Sequence, residues 1–257
     1  MKKIVITLFA LVALFSSCKK DSSTENENEK ENCKIENIVD GGSCTIENVD
    51  LSKEGTITVK SNTTVYIKGD VKFDVLVSNG NVIVENNATL TANEIDIQGG
   101  TSWTVRGKVI TNVLTQIGHS SYFDGADVTI KNKFTINGGA TMYLINSVVR
   151  VNELVVIGHI QAIKNNHTDN SNKYSVIESI DQKYINRAGG THVCGPVVYT
   201  HNFDNGYGSS NQPFINVTNT ILSEKPDIKN IYGLDDNSSF YQYNDQIGCT
   251  PLDKFPN

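Results

Sequence analysis

A repeat of 19 or 20 residues runs through the middle of the chain. Its most regular mark is a glycine, found at positions 80, 99, 118, 138 and 158. Before each glycine, apolar and polar residues alternate, as at Leu90, Ala92, Ile95 and Ile97, and the alternation resumes after it. A period of two residues is typical of β-strands. Each repeat therefore predicts about three short strands, which form one coil of a solenoid whose coils pair in parallel.

A second position repeats in phase with the glycines. Asp74, Asn93, Asn112, Asn132 and Asn152 each stand between two predicted strands. Asn tolerates left-handed backbone at a bend and can hydrogen-bond with the copies above and below it. Such an Asn ladder resembles that of right-handed parallel β-helices of the pectin-lyase-like architecture. The resemblance implies an all-β, right-handed parallel β-helix of about 19–21 residues per coil, capped at both ends. It implies no particular reaction.

The N-terminus has the pattern of an export signal. Lys2 and Lys3 precede an apolar run from Ile4 to Phe15, which is too short to span a bilayer. The sequence Ser16-Ser17-Cys18 that follows resembles a lipobox, with small residues before a cysteine that becomes lipidated. The resemblance implies a lipoprotein signal peptide over residues 1–17 and a lipid on Cys18.

The segment after Cys18 is polar and rich in acidic residues, so residues 18–32 are expected to form a solvated acidic tether. We expect one β-helix domain over residues 33–257, with about 200–257 as its cap. The start Lys19-Lys20-Asp21 resembles the tags of some outer-membrane lipoproteins. We therefore expect a protein of the cell envelope, anchored by lipid in the outer membrane on either its periplasmic or its surface face.

The net charge of the chain argues against one class of partner. Loss of residues 1–17 would remove two lysines and change the net charge from −6 to −8, which argues against nucleic acid as a partner. The expected partners are the membrane, through the lipid anchor, and a glycan or a surface protein. No cofactor is expected, because no Cys/His spacing resembles a zinc site. The oligomeric state is left open.

Besides Cys18, the chain contains Cys33, Cys44, Cys194 and Cys249. An even number of cysteines in an exported chain suggests two disulfides, with three possible pairings. We favour Cys33–Cys44 with Cys194–Cys249, because each would staple one end of the domain.

The repeat also predicts which side chains face outward. Four residues after the repeat glycine stand Trp103, Tyr122, Met142 and Ala162, at positions predicted to face the core. Phe123 and Tyr143 follow one position later, and so are predicted to form an exposed aromatic pair on neighbouring coils. Such a pair could stack on sugar rings. It could also be covered by the C-terminal segment or by another subunit.

Catalytic patterns are sparse. Asp124, Asp127 and Arg106 could meet near one edge of the coils, and Gly118-His119-Ser120 matches two residues of the Gly-His-Gly triplet of uronate-cleaving β-helix enzymes. His119 and His159 share a repeat position two coils apart, about 10 Å, which is too far for one shared metal ion. We therefore expect a non-enzymatic β-helical body that displays a binding face for glycan or protein, in adhesion or a structural role. The alternative is a polysaccharide lyase or glycoside hydrolase that uses Asp124, Asp127, Arg106 and His119.

Overall fold

The computed structural model describes residues 32–34, 38–162, 175–184, 192–194, 197–204 and 239–241. These residues form an all-β parallel solenoid, as the repeat predicted, and the segments described include no helix long and apolar enough to cross a membrane. The strands are β1 Ile38–Val39, β2 Gly42–Val59, β3 Thr63–Ser78, β4 Asn81–Val84, β5 Thr89–Ile97, β6 Trp103–Val105, β7 Lys108–Gln116, β8 His119–Asp124, β9 Asp127–Ile136, β10 Ala140–Ile145, β11 Val148–Val156, β12 His159–Ala162, β13 Val176–Tyr184, β14 His192–Cys194, β15 Val197–Asp204 and β16 Ser239–Tyr241.

Each coil after β3 consists of one short and one long strand. The short strands β4, β6, β8, β10, β12 and β14 stack in that order on the first part of β3, and we call this stack the short-strand face. The long strands β5, β7, β9, β11, β13 and β15 stack on the second part of β3. Every pairing is parallel except the last, in which β16 runs antiparallel to β15.

The interior of the solenoid consists of columns of apolar side chains. From β3 to β13, one column on the long strands is fully buried and aliphatic, and its members there are Val71, Leu90, Val109, Val128, Val149 and Ile177. Equivalent residues of successive coils pair directly. Each buried side chain of a column therefore also shields the equivalent side chain of the next coil from water. At roughly 1.5–3 kcal/mol for each fully buried aliphatic side chain, these columns are the main stabilising contribution that the repeat can make.

In β5, β7, β9 and β11, the alternation of buried and outward residues is interrupted where the repeated Asn stands. Alternation breaks there because two successive residues face outward, as at Asn93 and Glu94, between the buried Ala92 and Ile95. The register aligns Asn93 with Asn112, and Nδ2 of Asn112 donates to Oδ1 of Asn93 over 2.6 Å. The next coil has one extra residue, so a register shift separates Asn112 from Asn132.

The left-handed backbone expected at the ladder asparagines occurs at other asparagines instead. Positive φ angles occur at Asn48, Asn62, Asn87 and Asn146, and none of the ladder asparagines has one. Successive outward residues therefore interrupt the alternation at the ladder without left-handed backbone.

Gln116 and Ser121 are among the polar residues buried inside the solenoid. Ser121 donates to Oε1 of Gln116 over 2.9 Å, and both side chains are fully buried. Nε2 of Gln116 donates to the backbone oxygens of His119, at 3.0 Å, and Thr141, at 3.2 Å. The pair thus satisfies its own polar atoms and ties the end of β7 to β8 and β10.

A disulfide closes the N-terminal end. Cys33 and Cys44 are bonded, as we favoured from the sequence, and the backbone N–H of Cys33 donates to the oxygen of Thr45 over 2.9 Å. The loop that this disulfide closes contains β1, which pairs with the end of β2. At the other end, β16 lies along part of β15.

Candidate ligand-binding face

Two tyrosines lie side by side on the outside of the short-strand face. Tyr122 in β8 pairs with Tyr143 in β10, and both side chains are half-buried. Their ring centroids are 5.3 Å apart and their planes differ by 10°. The ring planes are nearly parallel, so the two rings stack on each other.

The predicted exposure of Phe123 is wrong, and so is the inward orientation predicted for Tyr122. Phe123 is 1% exposed and belongs to the core, whereas Trp103, Met142 and Ala162 are buried as predicted. The register explains the reversal, because Trp103 pairs with Ser121 and Ser121 pairs with Met142. Tyr122 is therefore one residue out of phase with Trp103, and neighbouring residues of a strand face opposite sides of the sheet.

The phase changes because the turns differ in length. The turns before β6 and β10 contain two glycines, Gly99-Gly100 and Gly138-Gly139, whose second members have φ angles of +93° and +82°. The turn before β8 contains one glycine, Gly118, and His119 follows with a φ angle of +54°. The single glycine was the signal in the sequence that the next strand starts one residue earlier.

Polar side chains surround the two rings. Ser120 and Thr141 pair with each other in the column beside the tyrosines, and Thr104 and Gln161 precede and follow the pair in its own column. The side chain of Ser120 hydrogen-bonds with Tyr143. Burial and the neighbouring Tyr122 raise the pKa of Tyr143, whereas the bond from Ser120 opposes the rise. Tyr143 therefore remains neutral and can donate a hydrogen bond at physiological pH.

The residues of the predicted catalytic cluster have other partners. Asp127 accepts a 2.7 Å ion-pair contact from Arg150, and Arg106 lies 3.8 Å from Glu85. Asp124 lies on the short-strand face at the end of β8, whereas Asp127 begins β9. Within the part of the chain that the structure describes, no three His, Cys, Asp or Glu side chains are grouped to hold a metal ion.

An open groove of about 440 Å³ follows the long strands β9, β11 and β13. Its residues include Thr129, Lys131, Arg150, Asn152 and Ile180. Arg150 also lies 3.8 Å from Glu178, so two carboxylates compensate its charge. The groove therefore offers little net charge to a ligand.

The predicted shared position of His119 and His159 is also wrong. His119 pairs with Ala140, and His159 pairs with Thr141, so the two histidines lie in neighbouring columns. His119 is exposed at the start of β8. The residue that does share the column of His159 is His192, in the next strand of the face. The repeat does not predict this pairing, because it becomes irregular after Gly158.

The site of lipidation at Cys18 and the side chains of Cys194 and Cys249 lie outside the described residues, so the lipid and the second disulfide remain predictions. A scan against protein-family models, a search of curated proteins and a search of solved structures each found no match to this chain.

Proposed function

We propose that this protein is a lipid-anchored, non-enzymatic protein of the cell envelope, and that its short-strand face binds a glycan through Tyr122 and Tyr143. The anchor rests on the apolar run from Ile4 to Phe15, on the sequence Ser16-Ser17-Cys18 that follows it, and on the acidic tether after Cys18. The binding face rests on one observation, the stacked tyrosine pair within a polar surface.

The surroundings of the pair favour a sugar ligand. Sugars present apolar C–H faces between hydroxyl groups, so a site for them combines aromatic carbon with hydrogen-bonding side chains. Beside the tyrosines, Ser120 and Thr141 carry hydroxyl groups. A protein ligand would use the same rings, because tyrosine is enriched at the centres of protein interfaces.

The surface is arranged in rows that suit a polymer. Neighbouring coils repeat at about 4.8 Å, and each adds one residue to the tyrosine column and one to the Ser120 column. A chain of sugars lying along the solenoid would therefore meet the rings of Tyr122 and Tyr143 on two successive coils, with the hydroxyl groups of Ser120 and Thr141 beside them. The enzyme alternative has less support, because Asp127 and Arg106 each contact another charged side chain.

The test is a glycan array probed with the purified protein and with Tyr122→Ser and Tyr143→Ser. We expect each substitution to weaken glycan binding at least tenfold, because it removes one ring of the stack. Tyr66→Ser is the matched control, since Tyr66 lies in the same column three coils away. Binding that is unchanged in both variants would rule out the tyrosine pair as the site, and binding only to proteins on intact cells would replace the glycan by a protein ligand.

The anchor is tested separately with Cys18→Ser. We expect the variant to lose labelled fatty acid and to leave the membrane fraction, whereas Cys194→Ser should keep both. A Cys18→Ser protein that still carries the label would contradict the lipoprotein assignment.

A further inference from the structure

The sequence contains three Asn-Gly steps, Asn79-Gly80, Asn137-Gly138 and Asn205-Gly206, of which the last lies outside the described residues. At such a step the backbone nitrogen of the glycine can attack Cγ of the asparagine, because glycine has no Cβ to hinder the approach. The first two steps contain repeat glycines and occupy the same position on two coils. Their different surroundings in the fold decide whether the attack can occur.

The step Asn79-Gly80 is enclosed. Gly80 is buried, and a Cβ on it would collide with the backbone oxygens of Lys60 and Thr63. Its own carbonyl oxygen accepts a hydrogen bond of 2.6 Å from the hydroxyl of Ser78, which is fully buried. Gly80 therefore has no space in which to move toward the side chain of Asn79.

The step Asn137-Gly138 is open. Gly138 is exposed, and the nearest atom to a Cβ on it would be Cγ2 of Ile157, at 3.9 Å. The backbone N–H of Ala140 donates to the oxygen of Asn137 over 3.1 Å, so residues 137–140 form a surface turn. Among the backbone hydrogen bonds of the described residues, none uses the N–H of Gly138. This nitrogen therefore has both the space and the freedom to approach Cγ of Asn137.

Asp-Gly steps can form the same ring, and the described residues include Asp40-Gly41 and Asp124-Gly125. In both, the glycine nitrogen is already held. The N–H of Gly41 donates to Oγ1 of Thr63 over 3.0 Å, and the N–H of Gly125 donates to the oxygen of Ile145 over 2.8 Å. Of these four described steps, Asn137-Gly138 alone combines an exposed glycine with a nitrogen that makes no backbone hydrogen bond among them.

We propose that Asn137 is a site of spontaneous deamidation, with water as the co-reactant. The nitrogen of Gly138 forms a bond to Cγ of Asn137 and loses its proton, and the side-chain amide leaves as ammonia. Water then opens the resulting cyclic imide. Opening at Cγ gives aspartate, whereas opening at the former backbone carbonyl gives isoaspartate, in which the main chain runs through Cβ and Cγ.

The isoaspartate product changes the turn before β10. The carbonyl that accepts the hydrogen bond from Ala140 leaves the main chain and becomes a free carboxylate. β10 begins at Ala140 and carries Tyr143, so the altered turn directly precedes a strand of the tyrosine pair. The deamidation itself does not depend on the proposed glycan binding, and it is measured without a glycan.

The experiment is incubation of the full chain in detergent at mildly alkaline pH, with and without urea. Peptide mapping by mass spectrometry follows the conversion of each asparagine to acid, and an isoaspartyl methyltransferase quantifies the isoaspartate. The test variant is Gly138→Ala, which the turn can accept because Gly138 has no positive φ angle and the new Cβ meets only Ile157. Gly99→Ala is the matched control, since it adds the same methyl group at the equivalent turn of another coil.

Without urea, we expect Asn137 to convert at least tenfold faster than Asn79. In urea the two rates should become similar, because the enclosure of Gly80 is lost. Gly138→Ala should slow the conversion of Asn137 at least tenfold, and Gly99→Ala should leave it unchanged. The proposal is overturned if Asn137 in the folded chain keeps its amide as long as Asn79 does, if Gly138→Ala converts at the wild-type rate, or if the difference between the two asparagines persists in urea.

Discussion

Ser121 and Gln116 form a hydrogen bond of 2.9 Å between two fully buried side chains inside the solenoid. Ser121→Ala should lower the free energy of unfolding by about 1–3 kcal/mol, because it leaves Oε1 of Gln116 buried without a donor. Urea unfolding measures this loss. In the double variant Ser121→Ala/Gln116→Leu, the total loss should be smaller than the sum of the two single losses, since the unpaired oxygen is gone. Additive losses would show that the two side chains do not interact.

Phe123 and Tyr122 are neighbours in sequence but face opposite sides of the sheet. Phe123→Ala should cost about 3–5 kcal/mol of stability, because it leaves a cavity in the core. Tyr122→Ala should cost about 1 kcal/mol, the scale of an aromatic pair at a surface. Denaturant unfolding of the two variants gives the comparison. Equal losses would contradict the register of β8.

The Cys33–Cys44 disulfide should stabilise the N-terminal end. Its sequence separation is 11 residues, and closing a loop of this size in the unfolded chain contributes about 3 kcal/mol. Thermal unfolding of Cys33→Ser/Cys44→Ser should show a loss of this order. As a control, a reducing agent should destabilise wild type more than this variant. A variant as stable as wild type would mean that hydrogen bonds alone hold residues 32–34 to β2.

Asp96 should make stability depend on pH. Burial raises its pKa above 3.8, although Nε2 of Gln98 donates to one carboxylate oxygen, and the other oxygen is buried without a partner among the described residues. A raised pKa in the folded state favours the protonated form. Its contribution to stability is therefore present below pH 3.8 and is lost as the pH rises through the folded pKa.

Asp96→Asn should therefore raise the melting temperature at pH 7, and this gain should shrink toward pH 3. Asp50 provides a control of opposite sign, because hydrogen bonds from Ser52 lower its pKa. Asp50→Asn should slightly lower the melting temperature at pH 7 and have less effect in acid. A gain for Asp96→Asn that is the same at both pH values would exclude the carboxylate charge as its cause.

Much of the fold follows from the sequence because the repeat determines local structure directly. Leu90, Ala92, Ile95 and Ile97 alternate with polar residues, and they lie in one strand with all four buried. Asn93 and Glu94, two successive polar residues, mark the place where the alternation of buried and outward positions is interrupted. Such patterns can be recognised in the sequence, because neighbouring coils repeat the same alternation of buried and outward positions.

The orientation of the aromatic residues on the short-strand face was predicted only in part. The number of residues in each turn determines which side chains of the next strand face outward. Tyr143 was correctly predicted to face outward. The turn at Gly118 has one residue fewer than the turns before β6 and β10, so Tyr122 faces outward and Phe123 is buried, the reverse of the prediction. The ion pair between Asp127 and Arg150 and the pairing of His159 with His192 join residues from different coils. Spacing in the chain could not predict them, since they depend on the register between strands.

The disulfide at the N-terminal end also determines how the molecule would respond to force. Tension applied to the chain before residue 32 passes through the covalent bond between Cys33 and Cys44 and enters the solenoid at the start of β2. The segment between the two cysteines, including β1, lies in a closed loop and bears no tension. A pull on this end therefore loads the long ladder between β2 and β3, while the two-residue strand β1 stays in place.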